Sequence, residues 1–241
     1  MINKFIGLNW KLNPETFSQA KDLGSFSDKK GVVIFPPFIF LESLKQLLVS
    51  AQLGAQNVFW EEKGAFTGEI SPVMLQKMGI NYVLIGHSER RKYFNETSTI
   101  INKKIKKSLD LHLKVVLCVG ETQKIRNQGI KFVQNYLKKE LLEDLAQIKN
   151  IPQLIVAYEP AWAIGRGSSD DPKVSAQIIS FIKDFLKSKN VLNLKVIYGG
   201  SVNSANVFQF AALDVIDGVL VGQASLKKSE LKKIFSAFYV S

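Results

Sequence analysis

Short apolar segments recur along the chain at intervals that suit the strands of a buried sheet. Each is four or five residues long and is bounded by polar or glycine-containing stretches. Short apolar runs of this kind are typical of strands covered on both faces. The eight predicted strands are Phe5–Leu8, Val32–Phe35, Leu53–Gln56, Tyr82–Ile85, Val115–Val119, Leu154–Ala157, Lys195–Tyr198 and Gly218–Val221.

Segments between these runs carry apolar residues at the spacing of one helix face. The stripes are Val174, Ile178, Phe181 and Phe185; Ile101, Ile105 and Leu109; Val133, Leu137, Leu141 and Leu145; and Leu231, Ile234, Phe235 and Phe238. Two helix starts are also indicated, because Ser71 and Asp171 each precede a proline. A short capping side chain followed by proline is typical of the first turn of a helix.

Strands that alternate with helices favour parallel pairing and right-handed crossovers, and therefore an α/β fold. Eight such units in 241 residues suit a (β/α)8 barrel, in which eight parallel strands are ringed by helices. Fewer strands in one open sheet would instead suit a doubly wound fold. The chain has no Ser/Gly/Pro-rich linker, so we predict a single barrel domain over residues 1–241.

The formal net charge is +11, which is compatible with a nucleic acid, an acidic membrane surface or an anionic substrate as partner. The lysines are dispersed in runs such as Lys103–Lys107, which are typical of solvated helix faces. We therefore expect no nucleic-acid partner, and a salt-dependent DNA shift assay would test this. The single cysteine, Cys118, lies in an apolar run and is interpreted as a core residue.

No signal peptide is predicted, because the N-terminus lacks the apolar run of one. No membrane span is predicted, because no segment reaches the ~18 consecutive apolar residues that a span needs. We therefore expect no membrane partner and a cytoplasmic location. No cluster of metal ligands and no nucleotide-binding fingerprint is evident in the sequence. The expected complement of metals and cofactors is accordingly none.

Polar residues and glycines follow five of the predicted strands, at the end where parallel barrels carry their chemistry. They are Asn9 and Lys11, His87 and Glu89, Glu159, Gly199 to Ser201, and Gly222 and Gln223. Each has a structural explanation on its own, such as a solvated lysine, a core histidine or a tight turn. Their common placement at one end of the barrel favours an active site.

Glu159 ends the sixth strand and is followed by an apolar loop that contains two glycines. A carboxylate in this position is typical of a general base beneath a closing lid. The alternative is a strand-end glutamate held in a salt bridge beside a packed surface loop. The predicted lid comprises Pro160, Ala161, Trp162, Ala163, Ile164, Gly165, Arg166, Gly167 and Ser168.

The connection Val58–Ile70 has 13 residues and contains two phenylalanines and a tryptophan. A long loop with apolar tips is unusual on a monomer. We predict that it inserts into a partner subunit. The alternative is that it folds back onto its own barrel.

Several motifs together resemble triosephosphate isomerase, and they run in order along essentially the whole chain. They are Asn9-x-Lys11, Ala55-Gln56-Asn57, Gly64-Ala-Phe-Thr-Gly-Glu69, Gly86-His-Ser-Glu-Arg-Arg91, Cys118-Val-Gly-Glu121, Tyr158-Glu-Pro-Ala-Trp-Ala-Ile-Gly165, Tyr198-Gly-Gly-Ser201 and Leu220-Val-Gly222. The resemblance implies a TIM barrel that interconverts dihydroxyacetone phosphate and D-glyceraldehyde 3-phosphate in glycolysis and gluconeogenesis. It also implies a homodimer formed through residues 58–70.

The resemblance further implies a role for each matching residue. Glu159 would be the base, and His87 the electrophile, kept neutral by a helix that begins at a Ser88 N-cap. Lys11 would stabilise the enediolate, Asn9 would position Lys11 and contact the substrate, and Glu89 would be a second carboxylate near both. The phosphate would bind N–H groups of Gly165, Ser201, Gly222 and Gln223.

By the same resemblance, Tyr198 and Ser201 would latch the closed lid, with Glu121 near Trp162. Two positions depart from the family pattern. Many members have Gly-Thr-Gly-Lys where this chain has Gly165-Arg166-Gly167-Ser168, and a second glycine usually stands where this chain has Gln223.

Other functions remain as alternatives. Another phosphate-binding barrel enzyme, such as a sugar-phosphate isomerase or a relative of indole glycerol phosphate synthase, would keep the glycine turns. It would not be expected to combine Lys11, His87 and Glu159. A glycosidase would need two facing carboxylates, for which Glu89 and Glu159 are the candidates, and an aromatic-lined cleft that Trp162 alone does not provide.

Overall fold

The computed structural model describes residues 4–148, 151, 154–163, 170–191 and 194–239. Eight parallel strands pair in chain order, and the first also pairs with the eighth, so the sheet closes into a barrel. They are β1 Phe5–Asn9, β2 Val32–Phe35, β3 Gln52–Ala55, β4 Tyr82–Ile85, β5 Lys114–Val119, β6 Leu154–Tyr158, β7 Lys195–Tyr198 and β8 Gly218–Val221. The predicted (β/α)8 barrel is confirmed, the open sheet is ruled out, and each strand boundary lies within one residue of its prediction.

Helices connect the strands and surround the barrel. They are α1 Phe17–Ser27, α2 Leu41–Leu47, α3 Pro72–Lys77, α4 Ser88–Tyr93, α5 Ser98–Asp110, α6 Gln123–Arg126, α7 Ile130–Asp144, α8 Pro172–Lys187, α9 Val207–Ala211 and α10 Lys228–Phe238, with short 3-10 turns at Phe38–Phe40 and Gln223–Leu226. None of these helices, within the residues described, is both long and apolar enough to cross a membrane.

The buried apolar side chains form two layers, because successive side chains of a strand point to opposite faces. In β5, Val116 and Cys118 point into the barrel, whereas Val115, Leu117 and Val119 point outward into the layer beneath the helices. The prediction that Cys118 is a core residue is therefore confirmed. The filled interior leaves the carboxyl ends of the strands as the place for a site.

Two predicted helix starts are confirmed by their capping bonds. The Ser71 hydroxyl accepts N–H groups of Val73 and Met74 at 3.2 and 3.4 Å. The Asp171 carboxylate accepts the Lys173 N–H at 2.8 Å. Each cap satisfies backbone donors that the first helical turn leaves without a partner.

The predicted apolar stripes identify the buried residues of α10 correctly and those of α8 only in part. All four predicted residues of α10 are buried. In α8, Val174, Phe181 and Phe185 are only partly buried, and the buried face is instead formed by Ser175, Ile178, Ile179, Ile182 and Leu186. The buried face of α8 is therefore rotated relative to the predicted stripe, and the two phenylalanine rings pack against the core at partly exposed positions.

The expectation that the run Lys103–Lys107 is a solvated face is wrong for Lys104. This side chain is 2% exposed, and its Nζ donates to the Glu96 carboxylate at 2.5 Å and to the Asn57 amide oxygen at 2.7 Å. Lys104 lies on the same helix face as buried Ile101. Helical periodicity therefore turns one lysine of the run inward, where Glu96 compensates its charge and Asn57 accepts a further hydrogen bond.

Candidate active site

A cavity of about 560 Å³ opens at the carboxyl ends of the strands. It is lined by most of the predicted site residues, namely Asn9, Lys11, His87, Glu159, Gly199, Gly200, Ser201, Gly222 and Gln223. Residues 164–168 of the predicted lid, including the predicted phosphate ligand Gly165, lie outside the described residues. The chain therefore brings the predicted groups from five different strands to one cavity.

Lys11 is held in the cavity by its own backbone. Its φ of +55° lies in the left-handed region, which non-glycine residues seldom adopt. The Asn9 side-chain oxygen accepts the Lys11 N–H at 3.0 Å, and the Gln56 amide donates to the Lys11 carbonyl at 2.8 Å. These two bonds offset the strain and fix the direction in which the lysine leaves the backbone.

Gln56 is a positioning residue to which sequence reasoning assigned no role. Besides Lys11, its amide donates to the Phe35 carbonyl at 2.9 Å, so it links the ends of β2 and β3 to the loop after β1. The available signal was an amide directly after Ala55, at the carboxyl end of a predicted strand. The bond partners could not be identified, because they depend on the closed barrel.

His87 is itself the N-cap of α4. The prediction that Ser88 caps this helix is therefore wrong. The Nδ1 atom of His87 accepts the Glu89 N–H at 3.3 Å, because an unprotonated imidazole nitrogen can act as the capping acceptor. The neutral ring then carries its proton on Nε2, which lies 3.5 Å from Oε1 of Glu159. The cap thus selects the tautomer that presents an N–H donor to the cavity.

Glu159 is 2% exposed and directly follows β6. The polar contacts of its carboxylate include two long ones, from His87 Nε2 to Oε1 and from the Ser88 N–H to Oε2, both at 3.5 Å. Bonds of this length are weak, so the carboxylate can exchange them for a substrate at little cost. A Cβ added to Gly199 would lie 2.7 Å from Cγ of Glu159. Because Gly199 has no side chain, the loop after β7 can pack directly on the side chain of Glu159.

Glu89 lies beside both Lys11 and His87, as the resemblance implied. Its Oε1 is 2.6 Å from Nζ of Lys11, whereas its Oε2 is 3.7 Å from Nδ1 of His87, which is too far for a hydrogen bond. The ion pair is partly exposed, with 25% and 39% of the two side chains accessible. Glu89 therefore pairs with the lysine, while its backbone N–H orients the histidine.

A second buried carboxylate, Glu121, lies next to the backbone that follows Glu159 and is fully inaccessible. It accepts the Trp162 indole N–H at 2.9 Å and the Tyr158 hydroxyl at 3.2 and 3.1 Å. Burial raises the pKa of Glu121, and these donors oppose the rise. The expected proximity of Glu121 to Trp162 is confirmed.

The predicted phosphate ligands Ser201, Gly222 and Gln223 all line the cavity. A Cβ on Gly222 would lie 3.3 Å from Cε of Lys11, so this glycine lets the lysine side chain pass close to the end of β8. Gln223 is exposed and begins a 3-10 turn. Gly222, Gln223 and Lys11 therefore line the same cavity.

Cys118 is adjacent to Glu159 but is unsuited to nucleophilic chemistry. Burial raises the pKa of its thiol well above the ordinary value, and the neighbouring Glu159 carboxylate adds to the rise. The thiol therefore stays protonated and packs in the barrel interior. Among the residues described, no group of three or more His, Cys, Asp or Glu side chains could hold a metal ion.

Comparisons with known proteins agree with the geometry. The family model described as triosephosphate isomerase matches residues 4–238. The curated triosephosphate isomerase of Dictyoglomus thermophilum is 42% identical, with 94% of this chain and 96% of the relative aligned. That of Caldanaerobacter subterraneus subsp. tengcongensis is 41% identical over 97% and 99% of the two chains, and that of Clostridium tetani is 41% identical over 94% and 93%. Matches of this extent and identity show that the chain belongs to the triosephosphate isomerase family.

Proposed function

We propose that this chain, as a single domain of residues 1–241, interconverts dihydroxyacetone phosphate and D-glyceraldehyde 3-phosphate through an enediol(ate). The observation that carries the proposal is the pair His87 and Glu159, with Nε2 and Oε1 3.5 Å apart on the wall of the cavity that Lys11 also lines. An N–H donor and a carboxylate base this close can act on adjacent atoms of one small substrate. The family relationship supports the same reaction.

In this mechanism Glu159 removes a proton from the carbon next to the carbonyl and returns it to the neighbouring carbon. The His87 Nε2–H donates to the carbonyl oxygen and then serves the two oxygens of the enediol(ate). Lys11 stabilises the developing negative charge, because its ammonium is held at the cavity before the substrate arrives. Asn9 holds Lys11 in position and also lines the cavity.

The phosphate binds on the side of the cavity formed by Ser201, Gly222 and Gln223, and Gly165 contributes a further N–H group. Several N–H groups share the anionic charge in such a site, so no single side chain has to carry it. Residues 160–168 form the lid that excludes water from the enediol(ate). The reaction moves only protons within one substrate, and the proposal therefore includes no metal or cofactor.

We further infer a homodimer formed through Val58–Ile70. Residues 61–69 are all exposed, and Phe66 at 44% is among them. Phe59 packs against Trp60 and Phe66 with ring centroids 4.0 and 4.8 Å apart, and its N–H donates to the Ile70 carbonyl at 2.9 Å. The loop thus has an ordered aromatic base and a projecting tip. That shape suits insertion, with Thr67 near the tip, beside Lys11 of the partner subunit.

The glycosidase alternative is disfavoured, because it needs a second catalytic carboxylate. Glu89 is paired with Lys11 at 2.6 Å, so it is engaged as a partner of the lysine and not directed at a bond across the cavity from Glu159. The most direct test of the proposed function is a coupled assay with D-glyceraldehyde 3-phosphate and the folded chain. Turnover to dihydroxyacetone phosphate supports the proposal, and its absence from a folded sample would refute it.

A further inference from the structure

The Arg126 side chain contacts Glu121 and Trp162 on one side and Asp170 on the other, and each of these contacts leads towards Glu159. Arg126 ends α6, and 19% of its side chain is accessible. Its Nη2 donates to Oδ1 of Asp170 at 2.5 Å, its Nη1 lies 3.9 Å from Oε1 of Glu121, and its Cζ lies 5.4 Å from the Trp162 ring centroid. One guanidinium therefore contacts the chain before residue 164 and the chain after residue 169.

The first contact reaches the backbone that directly follows Glu159. Trp162 donates its indole N–H to Glu121 at 2.9 Å, and the Ala161 N–H donates to the Glu121 carbonyl at 3.0 Å. Arg126 lies against the same indole and the same carboxylate. Because only Pro160 separates Glu159 from Ala161, the direction in which the chain leaves Glu159 depends on this cluster.

The second contact reaches Glu159 through the end of β7. Asp170 is 4% exposed, and its N–H donates to the Tyr198 hydroxyl at 3.1 Å. Tyr198 directly precedes Gly199, the residue whose added Cβ would lie 2.7 Å from Cγ of Glu159. The ion pair with Arg126 thus supports the segment that packs on the carboxylate.

We propose that Arg126 is a positioning residue for Glu159 and that Asp170 is its main partner in this role. Arg126 acts through two routes, Glu121 with Trp162 on one side and Asp170 with Tyr198 on the other. It does not touch the reacting atoms. This inference rests on the proposed function, because it assigns Arg126 an effect on the base of that reaction.

Arginine suits this position because its planar head has several N–H donors pointing in fixed directions. One edge can meet Asp170 while the face lies over Trp162, an arrangement stabilised by the ring quadrupole. The Asp170 carboxylate has further donors, the Asp171 N–H at 2.8 Å and the Ser175 hydroxyl at 3.3 Å. Burial raises the pKa of Asp170, and the Arg126 charge opposes the rise, so the arginine favours the ionised form.

The test uses the full-length chain with Arg126→Met, Asp170→Asn and the double variant. The change Asp170→Asn preserves the size of the side chain and one acceptor oxygen, so this variant is the one best able to fold. We expect each single change to lower kcat at least about tenfold, since a small displacement of a catalytic group can cost up to about a hundredfold. We expect KM and the affinity for a phosphate-ester inhibitor to change less than about threefold, and the double variant to be no slower than the slower single variant.

Lys124→Met is the matched control, because Lys124 is an exposed cation on the same short helix. It should retain the wild-type kcat. A purely structural role for Arg126 predicts a lower thermal midpoint with an unchanged kcat in the folded protein. Losses of kcat below about fivefold in both folded single variants, or losses that multiply in the double variant, would overturn the inference. An inactive wild type would instead refute the proposed function itself.

Discussion

Nζ of Lys11 lies 2.6 Å from Oε1 of Glu89, so an ion pair joins the loop after β1 to the first turn of α4. Both side chains are partly exposed, and pairs of this kind contribute at most about 1 kcal/mol to stability. The pair therefore orients Lys11, and breaking it costs little free energy. An incoming phosphorylated substrate can compete with Glu89 for the lysine.

The first prediction concerns the charge of Lys11. Lys11→Met keeps the length of the side chain and the backbone at positive φ, and it removes only the ammonium. We expect kcat/KM to fall at least about a hundredfold, since a preorganised charge is lost from the site. The thermal midpoint should move little, because the broken pair is partly exposed.

The control for a general loss of positive charge is Lys21→Met, because Lys21 is exposed on α1. Both variants are to be compared by steady-state kinetics and thermal unfolding. A Lys11 variant with kcat/KM within tenfold of the wild type would contradict the role assigned to this lysine.

The second prediction concerns proton transfer. Glu159→Gln removes the base, and His87→Asn removes the Nε2 donor while leaving a side chain that can still cap α4. We expect kcat to fall by about two to four powers of ten in each variant, with a smaller effect on KM for His87→Asn. Glu143→Gln, a change at an exposed position of α7, should leave kcat unchanged. Retention of more than a tenth of the wild-type kcat by either site variant would refute its assignment.

The third prediction concerns Gln223, at the position where the family pattern implies a second glycine. Its side chain is exposed at the cavity edge, and its backbone N–H is retained whichever residue is present. We expect Gln223→Gly to change the dissociation constant of a phosphate-ester inhibitor by less than about tenfold, or ~1.4 kcal/mol. Calorimetric titration of both proteins measures this. A hundredfold gain in affinity would mean that Gln223 impairs the site and would argue for a different substrate.

The fourth prediction concerns the pH dependence of stability. Burial raises the pKa of Glu140 from 4.5 to about 7, although the Arg91 guanidinium, with Nη1 3.4 Å from Oε1, opposes the rise. The folded state therefore binds this proton more tightly than the unfolded state. The stabilisation is complete below pH ~4.5 and is lost as the pH rises through ~7, by an amount on the order of 3 kcal/mol.

Glu140→Gln should remove this contribution, because glutamine does not titrate. Denaturant unfolding at pH 5 and pH 8 should show the variant gaining stability relative to the wild type as the pH rises. Glu143→Gln on the same helix should show no such change, because Glu143 is exposed. Parallel pH profiles for the wild type and Glu140→Gln would contradict the prediction.

The fifth prediction concerns assembly. Deleting residues 64–69 removes the exposed tip of the loop Val58–Ile70 and should yield monomers with greatly reduced activity. Val49→Asp is the control, since Val49 is 91% exposed and lies between α2 and β3, at the opposite end of the barrel from the cavity. Sedimentation should show dimers for the wild type and for this control. An active wild-type monomer at micromolar concentration would exclude the proposed dimer.

Local patterns were sufficient to predict the strands and several helix starts. Apolar runs such as Tyr82–Ile85 must be buried wherever they occur, and proline after Ser71 or Asp171 restricts the backbone before any tertiary contact forms. The alternation of strands and helices then leaves few arrangements with short right-handed connections. Eight strands in one parallel sheet accordingly pointed to a barrel, and the strand ends pointed to its active face.

Local patterns failed where a second element decides the environment of a residue. Lys104 belongs to a run of lysines, yet it is buried because Glu96 and Asn57 meet it from other segments. His87 caps α4 with its ring, which standard capping preferences do not anticipate. The stripe of α8 was misplaced because apolar residues occupy more than one face of this helix, and their spacing alone does not decide which of them pack most deeply.

The sequence by itself determined the order of the strands, the residues at their carboxyl ends and the motifs of the family. Only the tertiary structure decided which of these residues meet. Glu89 lies 78 residues from Lys11, and Asp170 lies 44 residues from Arg126. Such contacts form only when the closed barrel brings separate loops together, because no local periodicity encodes the distance between them.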